Sequence, residues 1–291
     1  MPGSADRLDG RITLVTGATS GIGFETALGL AQRGAHVVML SRDAARLSAA
    51  ARSISAASGN GRVETLPADL LSQEEIRRAA REFAASHDRL DVLINNAGAI
   101  FPDRRLTVDG YERTWALNHL AYVLLTLELM GSLRAAEKAR IVIVASRAHS
   151  RTKTLDFDNL QGERHFAPME AYSRSKLANV LFAYALSARL GEGGITANCL
   201  HPGVVATGFG RGTGGIFGLA LQLARPFFIS AKKGAETSLF VACSPEVAGV
   251  SGAYFADCRA ARSSALTYDK EIRERLWRLA LQQTGEAWPD S

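Results

Sequence analysis

The run Ile12-Thr13-Leu14-Val15 ends in Thr16-Gly17-Ala18-Thr19-Ser20-Gly21-Ile22-Gly23, and the helical stretch Ile22–Gln32 follows. An apolar, β-branched run of this length reads as a buried strand. A strand that enters a helix through a glycine loop constrains the fold more than any other feature of the chain. Glycine permits the tight turn and lets backbone N–H groups at the helix N-terminus approach an anion. The plain alternative is a strand-to-helix turn that happens to be rich in glycine. Its place at the first strand favours a phosphate-binding loop, with a dinucleotide pyrophosphate held by Gly17, Thr19, Ser20, Gly21, Ile22 and Gly23.

The motif sits in a repeating rhythm. Val37–Leu40, Val92–Asn95, Ile141–Ala145 and Ile195–Leu200 are further runs that are apolar rather than alternating, as in strands buried on both faces. Between them, Ala44–Ala57, Gln73–Ser86, Tyr111–Ala135 and Ala171–Leu190 read as helices. Alternation of this kind predicts an α/β fold: a Rossmann-type, doubly wound parallel sheet with helices on both faces. No Pro/Ser linker divides the chain, so one domain is expected over 1–291, with a core over 8–256 and a helical extension over 264–291. Two stretches break the rhythm. Ser150–Pro168 is a polar insert, and Thr207–Ser230 is a Gly-rich turn leading into the apolar Ile216–Ile229. The second reads either as a mobile lid over an apolar pocket or as a core helix. Lys270–Gln283 predicts a final amphipathic helix with Ile272, Leu276 and Leu279 inward.

Several classes are excluded at this stage. The net charge of +5 comes from basic residues interleaved with acids, as in Glu74-Glu75-Ile76-Arg77-Arg78. That pattern makes solvated helix faces, so no nucleic-acid partner is predicted. Cys199, Cys243 and Cys258 are far apart with no CxxC, and read as buried thiols of a reducing compartment. The six histidines show no HxxxH or HxH spacing, so no metal site is predicted. No signal-like core follows Met1, and no run reaches the roughly 18 apolar residues of a membrane span. A cytoplasmic chain without an integral membrane segment is expected.

The chemistry-bearing segment is Tyr172-Ser173-Arg174-Ser175-Lys176. Residues four apart share a helix face, so Lys176 holds a cation beside the Tyr172 hydroxyl, where it should lower the phenol from its ordinary value of about 10. Such pairs also occur on plain surface helices. The company upstream changes the reading: Asn95-Asn96-Ala97-Gly98, Asn118 and Ser146. Hydride transfer to a carbonyl needs an acid at the developing alkoxide and a second donor to hold it, roles for which Tyr172 and Ser146 are suited. Singly, each has a structural reading: Asn118 a capped or kinked helix position, Ser146 a strand terminator, Lys176 a snorkelling lysine.

The Gly-xxx-Gly-x-Gly loop, the NNAG segment and the Asn118-Ser146-Tyr172-Lys176 set together resemble the classical short-chain dehydrogenase/reductase family, from about Leu8 to Gly252. The resemblance implies that Asn96, Ala97 and Gly98 lie beneath the adenosine, and that Asp69 and Leu70, after the third strand, contact the adenine. It also implies that Lys176 holds the nicotinamide ribose and that Asn118 binds a water linking Lys176 to solvent. Pro202, Gly203, Val205 and Thr207, in His201–Thr207, would meet the nicotinamide carboxamide. The gap from Ser146 to Tyr172 is longer than in short members of the family, which places the Ser150–Pro168 insert near the pocket.

Cofactor choice turns on the end of the second strand, where Ser41-Arg42-Asp43 stands in place of the acid usual in NAD enzymes. Arg42 reads as a 2′-phosphate ligand, predicting NADP(H) over NAD(H). The alternative is that Arg42 pairs with Asp43 or solvent. Ala148-His149, Asn159–Glu163, Ser175–Asn179 and Ser251–Phe255 resemble the retinol dehydrogenase-like branch, which implies a lipophilic alcohol, ketone or aldehyde as substrate. A steroid or polyketide ketone reductase is the alternative within the fold, and a non-catalytic NADP-binding regulator the alternative outside it. Family members commonly pair through the helices equivalent to Tyr111–Ala135 and Ala171–Leu190, so a homodimer or homotetramer is expected unless the C-terminal extension blocks that face.

Overall fold

The computed structural model describes residues 6–203 and 229–288. Among them, eight strands form one sheet in the order β3-β2-β1-β4-β5-β6-β7-β8. They are β1 Ile12–Thr16, β2 His36–Ser41, β3 Val63–Pro67, β4 Val92–Asn95, β5 Ala139–Val144, β6 Ile195–Leu200, β7 Tyr254–Ala256 and β8 Arg259–Ala261. All neighbouring pairs are parallel except β7 and β8. The helices are α1 Gly21–Gln32, α2 Ala44–Ser58, α3 Gln73–Ser86, α4 Arg113–Trp115, α5 Ala121–Glu128, α6 Met130–Arg134, α7 Pro168–Leu190, α8 Ala231–Cys243 and α9 Lys270–Thr284.

Period-two geometry explains the continuous apolar runs. Leu14, Leu40, Leu93, Ile141 and Ile143 point to one face and pack with Phe83 of α3, Tyr122 of α5 and Phe182 of α7. Val15, Met39, Ile94, Val142 and Val144 point to the other and pack with Leu30 of α1, Leu47 of α2 and Val241 of α8. Both faces are therefore core, and the predicted doubly wound sheet is the one found.

Three strands escape a search for apolar runs. β3 leaves Glu64 and Thr65 exposed, while β7 and β8 have three residues each. The expected helix Tyr111–Ala135 is also not continuous. Glu112 stays extended because its buried carboxylate accepts the N–H groups of Thr114 (2.8 Å) and Trp115 (2.9 Å), capping α4. A π-helical turn, Ala116–Leu120, then widens the helix before α5. At the other end α7 starts earlier than expected, at Pro168, a residue preorganised for a first helical turn.

The C-terminal helix α9 lies against α7 and α5. Leu276 packs with Leu177 and Leu181, Trp277 stacks on Phe182 at 5.8 Å, and Arg189 of α7 pairs with Glu274. Every residue of α7 from Ala171 to Leu186 is buried within the single chain. The face through which two copies were expected to pair is covered by the chain's own extension.

Candidate active site

The chain leaving β1 enters α1 on one face of the sheet and the chain leaving β4 runs to α5 on the other, which opens the crevice where doubly wound folds bind ligands. The glycine loop lines it. Gly17 (φ 68°) and Gly21 (φ 58°) are left-handed, a conformation that disfavours side chains. A Cβ on Gly23 would lie 2.3 Å from the Gly17 carbonyl oxygen and 2.5 Å from Asn96 Nδ2, so α1 packs on the loop only with glycine there. Ser20, the N-cap of α1, makes no side-chain cap bond, and the first turn carries no acid. Its first-turn N–H groups thus suit an anion.

The NNAG segment is fastened to this loop. Thr16 Oγ1 accepts the N–H groups of Asn96 (2.8 Å) and Ala97 (3.0 Å), Asn96 Nδ2 donates to the Thr16 carbonyl (2.9 Å), and Tyr122 donates to the Ala97 carbonyl (2.8 Å). Thr16 and Tyr122 were not singled out from sequence; an isolated polar residue ending a strand gives no signal of what it will bond. Arg42, largely exposed, faces Asp69 across 3.7 Å, rather than Asp43, which caps α2 by accepting the Arg46 N–H. Leu70 is buried beside this pair.

The chemical cluster assembles where α7 crosses the end of β5. The Tyr172 hydroxyl faces Ser146, whose hydroxyl favours the phenolate. Lys176 Nζ donates to the Val144 carbonyl (2.9 Å) and lies 5.8 Å from the Tyr172 ring centroid and 5.4 Å from that of Tyr122. A Cβ on Gly98 would lie 3.4 Å from Lys176 Nζ and 3.2 Å from Asn118 Oδ1, so the NNAG backbone abuts both side chains. The π turn carries Asn118 into the cluster. Its side-chain amide donates to the Ala99 carbonyl (2.9 Å) and Ser175 Oγ (3.1 Å), and its Oδ1 accepts the Ala99 N–H (2.9 Å). Both amide hydrogens are thus committed within the protein, and the Asn118 carbonyl accepts from Asn179 (2.8 Å). Asn118 acts first as a strut, with only acceptor positions left for the expected water.

The expected lowering of the Tyr172 pKa by Lys176 is reversed by burial. Burial pushes Tyr172 up to about 12, partly offset by the Ser146 hydroxyl, and pushes Lys176 down to about 7. A low-dielectric site penalises phenolate and ammonium alike, and that penalty outweighs their mutual attraction. Behind Ser146 stands His149. Its Nδ1 donates to the Ser146 carbonyl (2.7 Å) and its Nε2 accepts the Ser264 N–H (3.1 Å), so the imidazole is neutral and tautomerically fixed, with burial lowering its pKa.

After β6, Gly203 (φ 85°) turns the chain past Pro202, its N–H donating to His201 Nδ1 (3.0 Å). Val205, Thr207 and the expected lid Ile216–Ile229, apart from Ile229 itself, lie outside the described residues.

An uncapped helix N-terminus behind a glycine loop, joined at the sheet's switch point to a buried Tyr-Ser-Lys-Asn cluster, has the donors that a dinucleotide requires. The class these features define is a nicotinamide-dependent oxidoreductase. Comparison with known proteins places it more closely: the family described as short chain dehydrogenase matches residues 11–215, and the chain belongs to that family. It is similar to mouse retinol dehydrogenase 12, with 38% identity over 97% of this chain and 89% of that protein. It is also similar to the zebrafish WW domain-containing oxidoreductase, 38% identical over 94% of this chain and 68% of that protein. Among solved structures, an uncharacterised Mycobacterium paratuberculosis protein matches with a TM-score of 0.80 and 31% identity, covering 99% of both chains. Pseudomonas aeruginosa RhlG in an NADP active-site complex matches at 0.70 and 27%, covering 87% of this chain and 97% of that one. No helix among the described residues is long and apolar enough to cross a membrane.

Proposed function

We propose that the chain interconverts a lipophilic alcohol and its ketone or aldehyde using NADP(H), with Tyr172 as the general acid/base. The observation that carries this reading is the buried Lys176 amino group, held on the Val144 carbonyl at the end of β5 and 5.8 Å from the Tyr172 ring, with Tyr172 facing Ser146. A bound nicotinamide dinucleotide supplies or accepts the hydride. Gly17, Thr19, Ser20, Gly21, Ile22 and Gly23 would hold its phosphates, Asn96, Ala97, Gly98, Asp69 and Leu70 its adenosine, and Pro202 and Gly203 its carboxamide end.

With its pKa raised, Tyr172 carries its proton at neutral pH and is poised to give it to a carbonyl oxygen that gains negative charge. Ser146 donates to the same oxygen and fixes its distance from Tyr172. Lys176, on the turn after Tyr172, presents its amino group to ribose hydroxyls and to the phenol, and Asn118 holds the Ser175 and Ala99 positions that frame it. Arg42 is the candidate 2′-phosphate ligand. Its nearest carboxylate, Asp69, is 3.7 Å away and its side chain is 70% exposed, so it can turn toward a phosphate at little cost. The NADP complexes among similar structures and the retinol dehydrogenases among similar sequences support the cofactor and substrate class. An intact Tyr172/Lys176 pair argues against a purely regulatory role.

The test is NADPH oxidation with retinal, steroid ketones, aliphatic aldehydes and quinones. Turnover of at least one lipophilic carbonyl at ten times the rate with NADH is the expected result. Activity confined to polar sugars, or equal rates with both cofactors, would overturn the substrate or the cofactor assignment respectively.

A further inference from the structure

At the amino-terminal edge of the sheet, opposite the Tyr172 cluster, three elements converge. His36 is the first residue of β2, Glu64 the second of β3, and His87 the C-cap of α3. Glu64 is in register with Val38, and Val38 belongs to the core that α3 covers, so His36 and Glu64 also face α3. A crossover helix returns to the amino edge, which brings His87 to them. His36 Nε2 lies 2.7 Å from Glu64 Oε1, and His87 Nε2 lies 3.4 Å from Glu64 Oε2. The three ligand atoms all lie within 4.8 Å of one another.

The orientation of the His87 ring is fixed by its neighbours. Its ring stacks on Phe83 at 4.5 Å, its side chain is 7% exposed, and its Nδ1 is 3.2 Å from the Phe83 carbonyl. A carbonyl only accepts, so Nδ1 carries the hydrogen and Nε2 presents either a lone pair or a second proton to the carboxylate. A lone pair against a carboxylate oxygen at 3.4 Å is repulsive unless a cation stands between them. The same arrangement, an imidazole donating its far nitrogen to a backbone carbonyl, is the usual support of a metal-bound histidine. Donors on a tetrahedral zinc ion at about 2.0–2.1 Å are about 3.3 Å apart, close to the His87–Glu64 separation. The His36–Glu64 contact must lengthen, and Glu64, with half its side chain exposed, is the partner able to move.

We propose that His36, Glu64 and His87 bind a zinc-class divalent transition-metal ion that clasps β2, β3 and the end of α3, with its remaining position open to solvent. Two imidazoles and one carboxylate favour zinc, nickel or copper over the oxygen-seeking magnesium and calcium. The site is separate from the oxidoreductase cluster and acts on stability. The histidines come from distant positions, which is why motif spacing did not reveal it.

The experiment uses the full chain freed of any polyhistidine tag, titrated with zinc or with magnesium by calorimetry and by thermal unfolding. Expected are one zinc per chain with a micromolar Kd, no magnesium binding in that range, and a midpoint rise of about 5 °C at a hundredfold excess over Kd. Glu64→Gln, His36→Gln and His87→Ala should each weaken zinc at least tenfold and remove the rise, with NADPH affinity unchanged. Glu64→Gln, at an exposed position, keeps the test decisive should His87→Ala fold poorly. Zinc binding by the wild type no tighter than by Glu64→Gln would overturn the proposal and leave the cluster a proton-bridged ion pair.

Discussion

Replacing Lys176 by methionine should stabilise the cofactor-free protein at neutral pH. Lys176 is 3% exposed, and burial lowers its pKa from 10.5 to about 7. At about 1.4 kcal/mol per pH unit, that lowering corresponds to on the order of 5 kcal/mol. The sign follows from proton counts. Between the two pKa values the unfolded chain binds a proton that the folded chain does not, so the lysine's contribution to stability is greatest above about pH 10.5. It is lost as pH falls toward 7. Methionine has nearly the same shape and no charge, so it escapes this loss, although it leaves the Val144 carbonyl without its donor at a cost of about 1 kcal/mol. The net gain at pH 7, several kcal/mol, should raise the thermal midpoint by on the order of 10 °C. Tyr172 acts in a separate window: its pKa is raised, so the stability it contributes is present below pH 10 and lost toward pH 12 in both proteins. The assay is scanning calorimetry or circular dichroism of wild type and Lys176→Met at half-unit steps from pH 6.5 to 10. The difference should be largest near pH 7 and shrink steadily as pH rises. Equal midpoints at pH 7, or a difference that does not change with pH, would refute the claim that burial governs this lysine.

Tyr172→Phe should lower kcat by more than a hundredfold with NADPH affinity within about threefold of wild type; residual turnover within tenfold would remove the acid assignment. Arg42→Asp should invert the ratio of NADP to NAD efficiency measured as kcat/KM, and an unchanged ratio would leave Arg42 only a surface partner of Asp69. Because α9 covers α7, sedimentation should show no dimer formed through the α5/α7 face. Leu177→Asp, which buries a charge beneath Leu276, should therefore destabilise the monomer rather than dissociate an assembly.

Much of the molecule was legible because its causes are local. Continuous apolar runs marked strands covered on both faces, left-handed glycines marked the turn into α1, and a four-residue spacing placed Tyr172 above Lys176. β3 was not found by pattern because an edge strand with Glu64 and Thr65 exposed lacks that signature. The break in the Tyr111–Ala135 stretch was invisible for a different reason: Glu112, Asn118 and Asn179 choose backbone hydrogen bonds only once their neighbours are in place.

The sequence by itself determined the sheet, the glycine turn into α1 and which candidate reacting groups the chain carries, since these follow from periodicity and from side-chain chemistry. Tertiary structure alone decided their charge states, the covering of α7 by α9, and the meeting of His36, Glu64 and His87. A pKa depends on how much water and counter-charge surround a group, and a cluster drawn from three elements depends on how those elements pack. Neither quantity exists until the chain has folded, and only the folded surroundings of Lys176 show that burial lowers its pKa.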